Sequence, residues 1–548
     1  MQNICITYQN REYKTTPFQT PSEFIKEHNI SVKRPMAAVI NGHLTRLNKK
    51  MRVSGTLDLV EFETSQGQRV YESSVLFLFI SAFNKLFPEL TYFIQHSIFN
   101  GIYIDIKERE LSTKEVSTLL AAMQEMVDKD LPISRVEREW DEQMQVLATA
   151  DRKDVLTLFR YMRPSVFKLY ELDGVEEALY QPLLTSTGDI PYFGLWKYQQ
   201  GVILSLDKSR ERLAPIDDHQ QSKIFDSFQE SLQWSRILKV RTVGQLNGHI
   251  MDNSIYDLIM VAEALHEKKV AQIADQITCE GSEIKVILIA GPSSSGKTTF
   301  SKRLGVQMHV NGVTPVTISL DDYFIERNKT PLTEDGRHDF ESLKAIDVEL
   351  FTTHLGQLIA GEEIQLPRYD FRTGTRKSGH LLRLKEKQVL VVEGIHGINP
   401  ELTAKIDKCY KFKIYVSALT QLNLHTHDRI STSDTRLIRR IVRDSNFRGY
   451  SAGATLEQWR LVRAGEEVNI FPLQEMADVV FNSALFYELA VLRPQAEREL
   501  LKVERTHSKY AEAKRLLKFL SYFLPLDGHL VTRTSILKEF IGDSAFDY

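Results

Sequence analysis

From residue 284 onward the chain carries short, continuous apolar runs that alternate with helical patterns. The runs cover residues 286–290, 316–320, 389–392, 412–416 and 479–481. Strands that are apolar on both faces and separated by helices form a parallel sheet that is covered on both sides. This part of the sequence therefore predicts an α/β domain with a mainly parallel sheet covered by helices.

A phosphate-binding loop is predicted directly after the first apolar run. The segment fits the pattern G-x-x-x-x-G-K-[ST] between a predicted strand and a helix predicted over 299–310, and its residues are Gly291, Pro292, Ser293, Ser294, Ser295, Gly296, Lys297 and Thr298. In such a loop the backbone N–H groups and the helix N-terminus face the phosphates. The lysine reaches the β- and γ-phosphates, and the hydroxyl of the last residue ligates Mg²⁺. The loop alone leaves GTPase, ATPase and small-molecule kinase open.

Carboxylates follow two further predicted strands. Asp321 and Asp322 end the second run and Glu393 ends the third. Ligands bind at the carboxyl ends of the strands in such sheets, so Asp321 and Glu393 are expected beside the phosphate loop. One carboxylate is then placed to orient an acceptor hydroxyl and take its proton, and the other to hold Mg²⁺. The alternative is that these acids only solvate strand ends.

Four arginines lie on one face of a predicted helix over 434–444, at positions 436, 439, 440 and 443. Four like charges repel unless an anion faces them, and a nucleotide triphosphate is the candidate. The alternative is a face paired to nearby acids. Arg448 and Gly449 then suggest a mobile loop that closes over the site.

The rest of the chain divides into further predicted parts. Residues 1–62 predict a small β-rich unit with one helix over 22–28, capped by Ser22, and a turn at Asn41-Gly42. Residues 63–225 predict an α+β domain with helices over 73–87 and 113–129 and a strand over 99–106. The second of these helices is predicted to open at Ser112-Thr113, with Glu115 in its first turn. A helical connector is predicted over 226–282, the α/β domain with the parallel sheet over 283–495, and a C-terminal helical extension over 496–548, with one helical stretch from 494 to 523.

Composition excludes several classes of protein. Asp and Glu number 72 against 69 Lys and Arg, which argues against binding nucleic acid by bulk charge and gives no DNA partner. The three cysteines, at positions 5, 279 and 409, form no disulfide framework or zinc motif. The longest apolar run, residues 75–83, is short of the roughly 20 residues of a spanning helix, so no membrane contact is predicted. With no targeting segment apparent, a cytoplasmic protein is expected.

Residues 284 to about 490 resemble the uridine kinase and phosphoribulokinase family of P-loop kinases. The resemblance rests on GPSSSGKTT (291–299), LDDYF (320–324), LPRYDF (366–371), VVEGIH (391–396), DTRLIRRIVRD (434–444) and FPLQEMADVVFN (471–482). It implies ATP and Mg²⁺ as cofactors. It also implies catalytic roles for Asp321, Lys297, Arg440 and Arg443, with Asp321 the catalytic carboxylate.

The same resemblance implies binding roles for further residues. The nucleotide would contact the loop through Thr299 together with Arg439 and Arg448, and the metal would contact Thr298 and Glu393. The acceptor would contact Asp321, Glu341, Tyr369, Arg376, Arg440 and Gln458, with Tyr369 as the aromatic that packs on a nucleoside base.

The acceptor positions depart from the uridine kinase pattern. Glu341 takes the place of a shorter aspartate, Gly374 that of a base-reading histidine, and Tyr450 that of the last arginine of Arg-Gly-Arg. Losing hydrogen-bonding partners erodes discrimination between acceptors. A purine nucleoside or a broad nucleoside range is then as plausible as uridine.

The N-terminal half resembles a different family. Residues 1–62 resemble a β-grasp-like TGS domain, and residues 63–225 resemble the second additional domain of threonyl-tRNA synthetase, through AAVINGHLTRLNKKM (37–51), NKLFP (84–88) and GIYIDI (101–106). The editing residues of that domain would fall on Ser73, Phe77, Leu179 and Leu183, which lack imidazole and thiol groups, so no editing activity is expected. RNA binding, small-ligand binding and packing on the kinase all stay open.

The sequence therefore predicts an ATP-dependent kinase of a nucleoside 5′-hydroxyl, with a small-molecule substrate. Two alternatives stay open: a nucleotide-switched RNA-binding or regulatory P-loop protein, and a kinase of a non-nucleoside sugar or sugar phosphate. The base-reading motif of GTPases is missing, because Asn328-Lys329-Thr330 is followed by Pro331 and not by aspartate. A homo-oligomer also stays open.

Overall fold

The computed structural model describes residues 3–98, 101–150, 152–206, 222–279, 283–333, 336, 338–370, 373–420 and 422–548. The first unit contains β1 (Ile4–Tyr8), β2 (Arg11–Thr15), α1 (Pro21–Glu27), β3 (Pro35–Ile40), β4 (His43–Thr45) and β5 (Gly55–Glu61). Its sheet has the strand order β2-β1-β5-β3-β4, in which β1 and β5 run parallel and the other neighbours antiparallel. Asn41 and Gly42 form the predicted turn between β3 and β4, both with positive φ (51° and 73°).

The predicted cap of α1 is wrong. Thr20 caps the helix: its side chain accepts from the N–H of Glu23, whose carboxylate accepts in return from the backbone N–H of Thr20. Pro21 then takes the first helical position, where a missing N–H costs nothing. Ser22 therefore lies inside the helix.

The second unit has mixed α/β structure. Its elements are α2 (Ser65–Leu86), β6 (Tyr92–Ile98), β7 (Gly101–Ile106), α3 (Thr113–Asp128), β8 (Ser134–Glu139), α4 (Trp140–Thr149), α5 (Lys153–Phe159), β9 (Val166–Leu172), β10 (Val175–Glu177), β11 (Gly194–Tyr198) and β12 (Gly201–Ser205). The strands form sheets of order β11-β12-β7-β6 and β10-β9-β8.

Three predictions in this unit can be compared with the structure. Helix α2 begins at residue 65 and not at 73, because Thr64 provides the N-cap by accepting from the N–H of Gly67. The predicted cap of α3 is confirmed, since Ser112 and Glu115 bond reciprocally. The predicted strand over 99–106 forms β7 from Gly101, and residues 99 and 100 lie outside the described residues.

The connector and the C-terminal half follow. The helices are α6 (Lys223–Leu238), α7 (Val243–Met251), α8 (Ile255–Thr278), α9 (Lys297–Val310), α10 (Val348–Ile359), α11 (Thr432–Arg443), α12 (Ala452–Asn469), α13 (Glu488–Leu501), α14 (Tyr510–Leu520) and α15 (Lys538–Ile541). The strands are β13 (Val286–Ala290), β14 (Thr314–Ser319), β15 (Ile364–Asp370), β16 (Thr375–Leu382), β17 (Gln388–Glu393), β18 (Lys411–Ser417), β19 (Asn423–His425), β20 (Asp428–Arg429) and β21 (Val479–Asn482).

The predicted parallel sheet is confirmed. Its order is β14-β17-β13-β18-β21, and every neighbouring pair runs parallel. The strands β13, β17 and β14 are neighbours, so the phosphate loop and the two carboxylate segments leave the same edge of the sheet. The antiparallel hairpin β15–β16 was not predicted. Its two strands pair with each other and not with the parallel sheet.

The C-terminal end differs from the single helical stretch predicted over 494–523. Helix α13 ends at Leu501, α14 begins at Tyr510, and the segment that follows folds back to form α15. Ile536, Leu537 and Phe540 are fully buried in the core that also contains residues of α9 and α11. No helix among the described residues has the length and apolar character needed to cross a membrane.

The hairpin β19–β20 fastens the second unit to the parallel-sheet domain. The Asn423 side chain donates to the carbonyl of Ile94 (2.6 Å), and the N–H of Ile94 donates to the carbonyl of Thr426 (3.1 Å). His427 stacks on Tyr92, with ring centroids 4.5 Å apart, and contacts Glu177 at 2.5 Å. These buried polar contacts fix the register between the two parts.

A buried ion pair joins α14 to α11. Both terminal nitrogens of Arg515 donate to Asp434, each at 2.7 Å, and Glu512 is a second partner at 2.8 Å. We expect Asp434→Asn to lower the free energy of unfolding by about 3 kcal/mol, because the buried Arg515 guanidinium loses one of its two charged partners. Denaturant unfolding measures this. Glu125→Gln, which breaks an exposed pair with Lys129, is the control and should change it by less than about 0.5 kcal/mol. Equal effects would contradict the assignment.

Candidate active site

The phosphate loop joins β13 to α9 and has the geometry its sequence predicts. Gly296 has a left-handed φ of 86° and caps α9. A Cβ at Gly291 would collide with the carbonyl oxygen of Val416 on the neighbouring strand. The Lys297 ammonium folds back to donate to the carbonyl of Pro292 at 3.2 Å. Glycine at these two positions therefore lets the backbone curl tightly over the end of the sheet.

Two arginines of α11 donate hydrogen bonds to carbonyl groups of this loop. Arg436 donates to the carbonyl of Ser293 at 2.9 Å, and Arg439 donates to that of Ser294 at 3.4 Å. Arg436 forms an ion pair with Glu466 and Arg439 with Glu488, and all four side chains are buried. The loop's carbonyls are thus turned toward the arginines.

This position differs from the direct nucleotide contact that the family resemblance implies for Arg439. Its guanidinium is fully buried between Glu488 and Ser483. A buried arginine needs an acidic partner, and both Arg436 and Arg439 have one. Two of the four arginines on the predicted face therefore have a structural role. The sequence signal was available: Leu437, Ile438, Ile441 and Val442 surround these arginines with apolar residues.

The other arginines of this segment surround one buried acid. Arg440 lies 3.2 Å from Asp444, Arg443 3.1 Å and Arg448 3.8 Å. One terminal nitrogen of Arg440 also donates to the Ser293 hydroxyl of the loop at 2.8 Å. Three cations share one carboxylate here, so positive charge remains available beside the loop. The turn over 444–448 is π-helical, a conformation often found at functional sites.

The predicted carboxylates meet at the loop. Burial raises the pKa of Glu393 to about 7, and the nearby Lys297 ammonium opposes that rise. Burial also raises the pKa of Asp321, and the Lys297 ammonium again opposes the rise. The Asp321 side chain is nevertheless exposed to solvent at the mouth of the cleft. Burial lowers the pKa of Lys297, and the carboxylates of Glu393 and Asp321 oppose this. Two carboxylates and one ammonium therefore form an interacting group.

Thr298 and Glu393 have the ligand chemistry of a magnesium site. The Thr298 hydroxyl donates to the Glu393 carboxylate at 3.3 Å, so hydroxyl and carboxylate oxygens converge. Mg²⁺ prefers such oxygens and takes the rest of its shell from phosphates and water. Among the described residues, no group of three or more His, Cys, Asp or Glu side chains could hold a metal by itself. The residues present therefore fit Mg²⁺ bound together with a phosphate ligand.

Glu341 lies in the same cleft. Its side chain packs on Gly465 of α12, where a Cβ would collide with it. Burial is the main cause that raises the pKa of Glu341 to about 7, and the nearby Glu466 carboxylate adds to it. The positive charges of Arg440 and Lys297 oppose this rise. The structure thus brings Glu341 together with Asp321, Lys297 and Arg440.

The remaining predicted acceptor residues lie on the β15–β16 hairpin and on α12. Tyr369 is buried in β15 with its ring 5.6 Å from that of Phe324. Arg376 of β16 is the cross-strand partner of Tyr369 and forms an ion pair with Asp347 at 2.8 Å. Gln458 is half-buried on α12.

Arg327 fills the space at Gly374, where the family has its base-reading histidine. A Cβ on Gly374 would lie 2.8 Å from the Cβ and Nε of Arg327, and the N–H of Arg327 donates to the carbonyl of Gly374 at 3.0 Å. Arg327 was not among the predicted site residues. Its side chain, from a different segment of the chain, therefore occupies the space beside Gly374.

The positions of the absent editing residues are consistent with packing. Phe77 and Leu183 are fully buried in an apolar core. The ring of His96, in β6, stacks on that of Phe228 with ring centroids 3.3 Å apart. Burial holds the pKa of His96 well below its usual value, so the ring stays neutral.

A parallel sheet with a phosphate loop, and with carboxylates after the neighbouring strands, defines a P-loop kinase domain. The chain belongs to the phosphoribulokinase / uridine kinase family, whose model matches residues 286–486. The uridine kinase of Bacillus pumilus is 31% identical over 196 residues, which cover 36% of this chain and 84% of the relative. The uridine kinase of Brevibacillus brevis is 30% identical over 207 residues, 38% of this chain and 88% of the relative.

A solved structure described as a "Possible Uridine Kinase", from Bacillus stearothermophilus, is 22% identical and aligns with 39% of this chain and 98% of its own. Its TM-score is 0.28, so this likeness carries no argument. The family match leaves residues 1–285 and 487–548 outside it. The kinase assignment therefore concerns the parallel-sheet domain.

We expect Glu341→Gln to stabilise the protein at pH 8 but not at pH 5. The pKa of Glu341 is near 4.5 in the unfolded chain and about 7 in the folded protein. As pH rises between these two values, ionisation of the carboxyl group favours the unfolded chain, and the resulting loss of stability is complete above pH 7. Glutamine never ionises, so its thermal midpoint should exceed that of the wild type by about 3 °C at pH 8 and match it at pH 5. Glu363→Gln, at an exposed position, is the control. An equal difference at both pH values would contradict the buried-carboxyl assignment.

Proposed function

We propose that this protein transfers the γ-phosphoryl group of ATP to the 5′-hydroxyl of a nucleoside. The observation that carries the proposal is the convergence of Lys297, Asp321 and Glu393 at the ends of neighbouring strands. A GTPase-like switch phosphorylates no acceptor, so it does not need a second carboxylate that faces one. Asp321, which opens to the cleft beside the ammonium, is explained by a hydroxyl acceptor.

ATP would bind with its phosphates in the loop. The first-turn N–H groups of α9 and the Lys297 ammonium supply the positive potential that triphosphates need. Thr298 and Glu393 would hold Mg²⁺, which neutralises phosphate charge when bound. Arg440, Arg443 and Arg448 outnumber their acid Asp444 and would face the transferred group.

Asp321 would accept the hydrogen bond of the acceptor hydroxyl and take its proton as the new O–P bond forms. The bond from the γ-phosphorus to the bridging oxygen breaks, and ADP leaves with that electron pair. The carboxylate form is required for this role, and the Lys297 charge favours it against the raised pKa of Asp321.

The acceptor pocket supports a nucleoside without a strict base requirement. Glu341 lies beside Arg440 and can accept hydrogen bonds from two ribose hydroxyls when it is ionised. Arg327 offers donors to a base acceptor atom at the position where Gly374 has no side chain. A guanidinium fork reads carbonyl and ring nitrogen acceptors, which purines and pyrimidines both present.

We also propose the TGS-like unit over 1–62, the synthetase-like unit over 63–225, the connector over 226–282, the kinase domain over 283–495 and the extension over 496–548. The strand order β2-β1-β5-β3-β4, with β1 parallel to β5, supports a β-grasp-like first unit. Both N-terminal units contact the C-terminal half, which supports a packing role: Lys514 lies 2.9 Å from the His43 ring of the first unit, and Glu512 lies 2.6 Å from Arg69 of the second unit.

Asp321→Asn should lower kcat by at least about 10²-fold and leave ATP binding intact, because it removes the proton acceptor and not the phosphate loop. Asp322→Asn is the matched control: its carboxylate accepts from the N–H of Tyr369 at 3.2 Å, away from the acceptor hydroxyl. Steady-state kinetics and ATP titration of both variants measure this. Loss of activity in Asp322→Asn with Asp321→Asn active would reverse the assignment.

A panel of acceptors tests the substrate class. Wild-type protein with MgATP should phosphorylate several nucleosides, with purine and pyrimidine kcat/KM values within about 10²-fold of each other, because the base site lacks the histidine. Ribose phosphates and pantothenate are the comparison acceptors, and product mass identifies the phosphorylated species. Activity on a non-nucleoside alone would refute the nucleoside proposal. Strong preference for uridine over cytidine and inosine would refute the relaxed pocket.

A further inference from the structure

The C-terminal segment, residues 531–548, reaches the phosphate loop. The Glu539 carboxylate accepts a hydrogen bond from the backbone N–H of Thr299 at 3.1 Å and another from the Thr299 hydroxyl at 2.8 Å. The hydroxyl of Tyr548 lies 2.8 Å from the same Thr299 hydroxyl. An internal carboxylate therefore occupies donors at the N-terminus of α9.

These donors belong to the phosphate site. Thr299 is the third residue of α9, and the first-turn N–H groups after a phosphate loop bind nucleotide phosphates. A carboxylate with two donors in that place is a substitute for a phosphate oxygen.

The segment is anchored on both sides of the cleft. The Ile536 side chain lies against Gly296 of the loop, and the Phe540 ring lies 5.2 Å from the Arg439 guanidinium. The Asn446 side chain donates to the carbonyl of Phe540 at 3.0 Å. The segment thus connects the phosphate loop to the turn over 444–448 that carries Arg448.

We propose that the C-terminal segment is an autoinhibitory element in which Glu539 holds the place of a nucleotide phosphate at Thr299. The inference rests on the proposed ATP-dependent function. One N–H cannot serve both anions, and a carboxylate and a phosphate at that distance repel each other. ATP must therefore displace Glu539, and the apparent ATP affinity falls with the fraction of molecules in which the site is open.

Nucleotide affinity of the full-length protein tests this. Glu539→Gln removes the competing charge and keeps the shape, and Asp543→Asn removes one exposed charge from the same segment as the control. Calorimetric titration with MgATP should show about tenfold tighter binding by Glu539→Gln than by wild type, which corresponds to an open fraction of about one in ten. Asp543→Asn should match the wild type.

Hydrogen exchange gives a second readout that does not depend on the variant. In wild type, saturating ATP should reduce amide protection over 531–548, because the segment is displaced. Equal or weaker ATP binding by Glu539→Gln, or increased protection of the segment, would overturn the proposal and make Glu539 part of the nucleotide site. Absence of ATP binding by all three proteins would instead overturn the proposed function, and this inference with it.

Discussion

Two buried ion pairs under the phosphate loop, Arg436–Glu466 and Arg439–Glu488, are the interactions on which the rest of the site depends. Each arginine donates to a loop carbonyl, which leaves the opposite side of the loop free for phosphates. Breaking such a pair leaves an uncompensated charge in the interior, at a cost of roughly 3–5 kcal/mol, so the loop has one strongly favoured conformation. The same helix, α11, places Arg440 and Arg443 at the cleft, so support and ligand contact are parts of one element.

The features that sequence predicted best are those encoded locally. Apolar runs predicted the parallel sheet because strands covered on both faces must be apolar throughout, and Ser112 with Glu115 predicted the start of α3. Of the residues that the family motifs implied, Lys297, Asp321 and Glu393 lie together at the cleft. Tyr369 and Arg376 lie on the β15–β16 hairpin, and Arg439 is buried in an ion pair with Glu488. The prediction of Ser22 was wrong because Thr20 and Glu23 form a capping box two residues earlier, with Pro21 at the first helical position.

What the sequence could not predict is the set of long-range partners. Glu488 and Glu466 lie 49 and 30 positions from the arginines they neutralise, and Glu539 lies 240 positions from Thr299. No local pattern marks an acid for such a role. Glu539 is of particular consequence, because the N–H that it binds is the one a nucleotide needs. The cleft is thus pre-organised by one set of buried acids, while another acid, Glu539, accepts a hydrogen bond from a first-turn N–H of α9.

Nucleoside-dependent ADP release is the direct measure of whether phosphoryl transfer to a nucleoside occurs at this cleft. ADP release from MgATP should be slow without an acceptor and should rise by at least about 10²-fold with a nucleoside, with one nucleoside 5′-monophosphate formed per ADP. Lys297→Ala should abolish the stimulated rate, because its ammonium stabilises charge in the transition state. ATP hydrolysis at the same rate with and without nucleoside, and with no phosphorylated nucleoside, would contradict the account.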